Sequence, residues 1–305
     1  MTVASLSGVD MRARLVGSGL VVPCGSFAVA IRSRLQAVHR GLGQLYADFP
    51  VFDRSRTYVD FEVEIDAPFG LRSLVRPQAI LRCDGRAPFK PLPASQAMAM
   101  LEWGLNWVIS SHSHDHLVLH AAAVERSGRA LVLAADPGSG KSTLCAALVH
   151  RGWRLLSDEL ALVSLQDGRI RPIARPISLK NASIGVVRAL GADIVIGDVC
   201  RDTAKGDVAH MKPPSASVQA MDRPAAPAML VFPRYRAGGQ LVSRAEGRGR
   251  ALIELTRHAF NASVLAGEGF EALCDLVASA RPHRIEYGSF DQVLPEIDRL
   301  WSRVA

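Results

Sequence analysis

The chain has 305 residues, 49% hydrophobic and 21% charged, enough to bury one large core or a core with a smaller companion, and too apolar for intrinsic disorder. Its formal charge of +7 suits anionic ligands or acidic partners, but aromatics are only 6% and no basic–aromatic repeat is present, so nucleic acid is not an expected partner. Five widely spaced cysteines without a C-x-x-C pair argue against a disulfide framework or a Cys-based zinc site and for reduced thiols in the cytoplasm.

Residues 15–31 are apolar but interrupted by Gly17, Gly19, Pro23 and Gly25. The run is not a membrane span, which needs about 20 unbroken apolar residues; two short strands joined by a turn are predicted, with no signal peptide. Residues 32–45 carry Leu35, Val38, Leu42 and Leu45 at helical spacing. Residues 58–65 alternate apolar and acidic side chains as a half-buried strand does, and a further strand is expected over 77–83. A proline-rich stretch over 87–93 reads as a loop or linker. It separates a strand-rich accessory region, 1–94, from a second domain, 95–305.

That domain opens with a helix over 95–110, with Trp103 and Trp107 at i, i+4, a spacing that fits core packing better than a ligand face. Apolar runs over 117–124 and 130–134 flank a hairpin turn at 125–129. Short strands are predicted over 153–156, 160–165 and 169–173. Residues 201–227 are rich in Pro, Lys, Asp and Ala and read as a long mobile loop. A strand over 228–232, helices over 250–260 and 269–280, a strand over 284–287 and a helix over 290–304 complete the chain.

The chemistry concentrates in Asp136-Pro137-Gly138-Ser139-Gly140-Lys141-Ser142-Thr143. With Ala135 before it, this is the P-loop pattern G-x-x-x-x-G-K-[ST] with Ala at the first position. Gly138 and Gly140 let backbone N–H groups turn toward phosphate oxygens. The following helix points its positive end at the same anions. Lys141 supplies a charge to the β- and γ-phosphates, and Ser142 offers a hydroxyl to Mg²⁺. Ala135 costs about 1 kcal/mol if its position needs positive φ, and little if it does not.

Past the P-loop helix an apolar strand ends in Asp158-Glu159. Two carboxylates there can serve as a metal ligand and as a base for an attacking hydroxyl.

His120, LVLAADPGSGKSTL and RGWRLLSDELALV together resemble the C-terminal catalytic domain of the HPr kinase/phosphorylases. More closely they are similar to the HPr kinase-related proteins found beside peptide-modification and exopolysaccharide genes, a likeness that extends to LEWGLNWVI, RPISLKNASI, KGDVAHMKPP and VFPRY. The resemblance implies an α/β P-loop kinase core akin to phosphoenolpyruvate carboxykinase, with an N-terminal strand-rich extension. It implies ATP and Mg²⁺ as cofactors and phosphoryl transfer to a seryl or similar hydroxyl. His120 aligns with the family histidine, and Asp158 and Glu159 with its aspartate pair, so the second Asp is Glu here. The HPr-binding end of the phosphorylases has no counterpart, which makes HPr a poor substrate expectation. The family forms ring-shaped hexamers, so a homo-oligomer is one assembly open to this chain.

Further candidates are weighed against bland alternatives. Arg175 or Lys180 can neutralise γ-phosphate charge or belong to a solvated basic loop. Lys205 and His210, with Lys212, can form a substrate-ordered lid or a mobile loop. His112, His114 and His116, beside Asp115, can bind a metal or make a polar turn. His120 can be catalytic or a core histidine. The functional expectation is a kinase whose acceptor is an unidentified peptide, protein or small molecule. The alternative, motivated by Ala135 and Glu159, is a nucleotide-binding regulatory or scaffold protein. A phosphoenolpyruvate carboxykinase-like metabolic enzyme lacks a visible carboxylate-binding signature.

Overall fold

The computed structural model describes residues 1–68 and 76–304 as a mixed α/β protein. Its centre is a six-stranded sheet in the order Val242–Ala245, Arg281–Tyr287, Ala226–Tyr235, Arg129–Ala134, Ala121–Arg126, Arg154–Ser157. The three strands from Arg281–Tyr287 to Arg129–Ala134 run parallel and the rest antiparallel. The strand Arg129–Ala134 shows why both faces are covered. Leu131 and Leu133 enter a core with the helices Lys141–His150 and Phe290–Trp301, whereas Ala130, Val132 and Ala134 face the helices Arg248–His258 and Ala262–Ser279. The hairpin before it turns on Ser127 and Gly128, both at positive φ (56° and 76°), as a tight two-residue turn requires.

The N-terminal part of the chain forms a five-stranded sheet of Leu20–Cys24, Phe27–Arg32, Phe61–Asp66, Gln78–Cys83 and Leu92–Pro93. Leu42, Val63 and Leu81 share one buried cluster with Leu101, Leu105 and Val108 of the helix Ala97–His112. Gly104 permits this close approach, because a Cβ there would collide with the Leu81 side chain. The expected loop or linker over 87–93 holds over 87–91, which form no helix or strand, and is corrected only at its last two residues, which pair with Gln78 and Ala79. The helices Gly8–Val16 and Ala182–Arg188 and the strand Val242–Ala245 were not expected.

A second correction concerns residues 201–227. They are not one long loop: Cys200–Thr203 and Gly206–Met211 form a hairpin, and Ser215–Gln219 a short helix. Gly206–Met211 also pairs with Ile177–Lys180. Its odd and even residues enter different cores, Val208 one and Ala209 and Met211 another. Lys, Asp and Pro at turns and edges concealed these strands, since edge strands and loops share a composition.

The expected single strand over 117–124 is split. His116–Leu119 pairs with Ala161–Ser164 in a small sheet, whereas Ala121–Arg126 belongs to the central sheet. Its neighbour breaks at the same level, where Arg154–Ser157 pairs with the central sheet and Ala161–Ser164 with the small one. His120 lies in one break and Asp158 and Glu159 lie in the other. The seam between two sheets therefore brings together groups about forty positions apart in sequence.

Candidate active site

The glycine-rich turn leaves the strand Arg129–Ala134 and ends at the helix Lys141–His150. Gly138 and Gly140 have φ of 85° and 89°, which only glycine adopts without strain. A Cβ on Gly140 would lie 2.9 Å from Tyr287 Oη and 3.0 Å from Tyr235 Cβ, so these tyrosines back the turn. Ala135 is buried and is not among the residues at positive φ, so the departure from Gly carries no backbone strain. Ala135→Gly is accordingly expected to lower stability, by up to about 1 kcal/mol from added chain entropy, and to leave nucleotide affinity unchanged. Thermal unfolding with calorimetric titration checks both.

Residues Asp136 to Thr143 all line one cavity of about 760 Å³, together with His120, Glu159, Ser178 and Lys180. Lys141 is buried; its Nζ donates to the His120 carbonyl at 3.4 Å, and burial lowers its pKa against the opposing pull of Asp158. Ser142 Oγ donates to Asp158 Oδ1 at 3.0 Å, and the Ser178 backbone N–H donates to Asp158 Oδ2 at 3.0 Å. Asp158 is buried, and burial, then the neighbouring Glu159, raises its pKa. Glu159 has φ of 70°, unusual for a non-glycine residue, and its Oε1 is 3.2 Å from Lys180 Nζ. Burial alone would raise its pKa, but Lys180 and then Lys141 hold it low.

His120 lies across this seam. Burial, with Lys141 beside it, lowers its pKa to about 4, so it is neutral at pH 7. Its ring stacks on Phe260 at 5.6 Å, and its backbone N–H donates to the His258 carbonyl at 2.7 Å. Asn261 secures this wall. Its Oδ1 accepts from the Val118 N–H at 2.8 Å, and its Nδ2 donates to the carbonyls of Ser113 and His116 at 2.9 and 2.8 Å. Ser178, Asn261, Tyr235 and Tyr287 escape sequence reasoning because each acts through a neighbour that only long-range pairing supplies.

The remaining candidates separate. Arg175 does not line the cavity. It is buried with Nη1 3.2 Å from Glu102 Oε2, its Nη2 donates to Asn106 Oδ1, and Tyr46 Oη donates to Glu102 Oε1 at 2.6 Å. The alternative of a solvated basic loop fails for this residue. Lys205 occupies the hairpin tip, 5.1 Å from the centroid of the Trp103 ring. His210 is a buried strand residue opposite Ser178, and burial lowers its pKa to about 4; it belongs to no lid. The three histidines diverge: His112 bonds the Val108 carbonyl at 2.9 Å, His114 is exposed, and His116 pairs with Asp115 at 2.7 Å. Among the described residues no three His, Cys, Asp or Glu side chains are grouped to hold a metal ion. No described helix is long and apolar enough to cross a membrane, and the five cysteines are free.

The residues fit Mg²⁺-nucleotide. Ser139 Oγ is buried without a partner inside the loop, and Ser142 and Asp158 present adjacent hard oxygens, the donor type Mg²⁺ prefers. Three comparisons with known proteins give partial matches. The family SynChlorMet cassette protein ScmC matches residues 92–175. The HPr kinase/phosphorylases of three strains of Streptococcus thermophilus are 26% identical over 107 residues, which is 35% of this chain and 35% of their own length. The structure of the Hpr(Ser) kinase/phosphatase from Coxiella burnetii aligns at 12% identity over 61% of this chain and 98% of that one, with a TM-score of 0.26. The chain is similar to these HPr kinase/phosphorylases over about a third of their length.

Proposed function

We propose that the protein is an ATP- and Mg²⁺-dependent kinase that transfers the γ-phosphate to a hydroxyl of a peptide, protein or small-molecule acceptor. One observation carries the reading: the P-loop hydroxyl of Ser142 and the carboxylate of Asp158 meet at 3.0 Å, with Lys141 buried beside them. Ser142 and Asp158 would hold Mg²⁺, which when bound screens phosphate charge and orients the triphosphate. Lys141 and the loop amides bind the phosphates.

Both oxygens of Asp158 are engaged, by Ser142 and by the Ser178 N–H. Glu159 lines the cavity with one oxygen paired to Lys180, and it is the group that accepts the acceptor's proton. Lys180, shared between Glu159 and the cavity, is placed to offset charge developing on the transferred group. His120, neutral, supplies a hydrogen-bonding wall rather than a charge.

Calorimetry with Mg²⁺ tests the foundation. The wild type is expected to bind ATP and Lys141→Ala to lose that binding, since a cation and its burial are both removed. Equal binding by the two proteins would remove the P-loop from the reading.

A further inference from the structure

Positive charge concentrates at one edge of the central sheet. Residues 234–257 and 281–287 carry eight arginines against three glutamates, so 31 of the 305 residues hold five of the chain's seven net positive charges. Strand pairing gathers these segments. Val242–Ala245 is the outermost strand and pairs antiparallel with Arg281–Tyr287, and no strand pairs with its other side among the described residues. Backbone N–H and C=O groups on that side are open to a further strand. Arg244 stands directly opposite Arg284, a like-charge pair that costs stability. Arg284 is engaged: its Nε lies 2.9 Å from Glu246 Oε2, and its guanidinium lies 5.3 Å from the centroid of the Phe232 ring. Arg244 is exposed and has no ion-pair partner among the described residues. Further in, Arg234 and Arg236 share one acid, Glu286, at 3.8 and 3.2 Å. Val242, two positions from Arg244 and on the same face of the strand, is 52% exposed.

We propose that Val242–Ala245 is a docking edge for an extended acidic segment of a partner protein, which adds a strand outside it and sets its carboxylates against Arg244. Three features of the edge meet in that occupant: open backbone groups, an unpaired cation and an exposed aliphatic side chain. Charged residues on an edge strand deter pairing with a second copy, because like charges then face each other. The same charges favour a segment of opposite sign. A nucleic acid would use the charge but leave the backbone edge unpaired. The proposal goes beyond the kinase reading and stands apart from it, since neither nucleotide nor acid pair enters it. The edge is nonetheless close to the glycine-rich turn. Val242 lies opposite Glu286, and the next residue, Tyr287, backs Gly140. A strand added outside Val242–Ala245 would run two strand spacings, about 10 Å, from the strand that carries Tyr287.

Fluorescence anisotropy at low salt tests the edge, with a labelled peptide of alternating Glu and Thr as the probe. Wild type is expected to bind it at least tenfold more tightly than the same peptide N-methylated at every residue, which keeps the charge but has no backbone N–H to pair. Binding is expected to weaken severalfold between about 20 and 200 mM salt. Arg244→Glu is expected to weaken it at least tenfold, and Arg244→Lys to restore most of the affinity. Arg244 is exposed, so the variants keep the fold, and thermal unfolding verifies this. If Arg244→Glu is destabilised, the comparison of the two peptides on wild type decides alone. Equal affinity for the N-methylated peptide would reduce the edge to a general polyanion surface. Tighter binding of an oligothymidylate of the same charge would make it a nucleic-acid surface. Undiminished binding by a folded Arg244→Glu, or no binding of the acidic peptide by wild type, would remove the docking edge. Each of these outcomes overturns the proposal and leaves the kinase reading where it stands.

Discussion

Asp158→Asn is expected to leave a folded protein that still binds the nucleotide phosphates but transfers phosphate at least about 100-fold more slowly. Asn is nearly isosteric, and its amide oxygen can still accept the Ser178 N–H. The other half of the side chain becomes an NH₂ group facing Ser142 Oγ, where the carboxylate now accepts at 3.0 Å. The proposed metal site loses the carboxylate oxygen beside Ser142, and the charge that would pair with Mg²⁺ disappears. Removing a buried charge costs the fold little, since Asp158 is already penalised by burial and by Glu159. ATP turnover followed across a Mg²⁺ series measures the effect. Wild-type turnover no faster than that of Asp158→Asn, with any acceptor, would favour the regulatory or scaffold alternative over a kinase.

Arg175→Met is expected to cost about 3–5 kcal/mol of stability, because it leaves the Glu102 carboxylate buried without its counter-charge. Arg175 and Glu102 are 3.2 Å apart, with side-chain exposures of 6% and 5%. Asn106 Oδ1 also loses its Arg175 donor, whereas Tyr46 Oη keeps its bond to Glu102. Urea unfolding provides the measurement. The double variant Arg175→Met/Glu102→Met should recover most of the loss, since no uncompensated charge remains. A loss below about 1 kcal/mol together with a fall in ATP turnover would instead place Arg175 at the γ-phosphate.

The glycine-rich turn was legible in the sequence because its determinants are local. A buried strand, two glycines, Lys-Ser and a helix follow one another without interruption, and the positive φ of Gly138 and Gly140 is a property of the turn alone. The same holds for the hairpin at Ser127-Gly128 and for the alternating strand Phe61–Asp66. Ala135 shows the limit of local reasoning: its identity raised the question of strain, and only the backbone conformation answered it.

The seam was not legible. The residues around His120 and around Asp158-Glu159 are apolar on both sides, so period and composition do not reveal that each run passes from one sheet to another. Which strands pair is decided by contacts between distant segments, and that pairing sets His120 and Glu159 at one cavity. Arg175 and Lys180 lie five positions apart in a similar polar context, yet one is sealed into a core network and the other faces the site. Lys205 and His210 read as a loop until the pairing of Gly206–Met211 with Ile177–Lys180 made them a hairpin tip and a buried strand residue. The sequence by itself determined the glycine-rich turn and the Lys141-Ser142 start of the helix after it, because backbone freedom, charge and helix start are encoded within a few consecutive residues. The tertiary structure alone decided which distant side chains meet that loop, because burial and strand register are set by the whole chain.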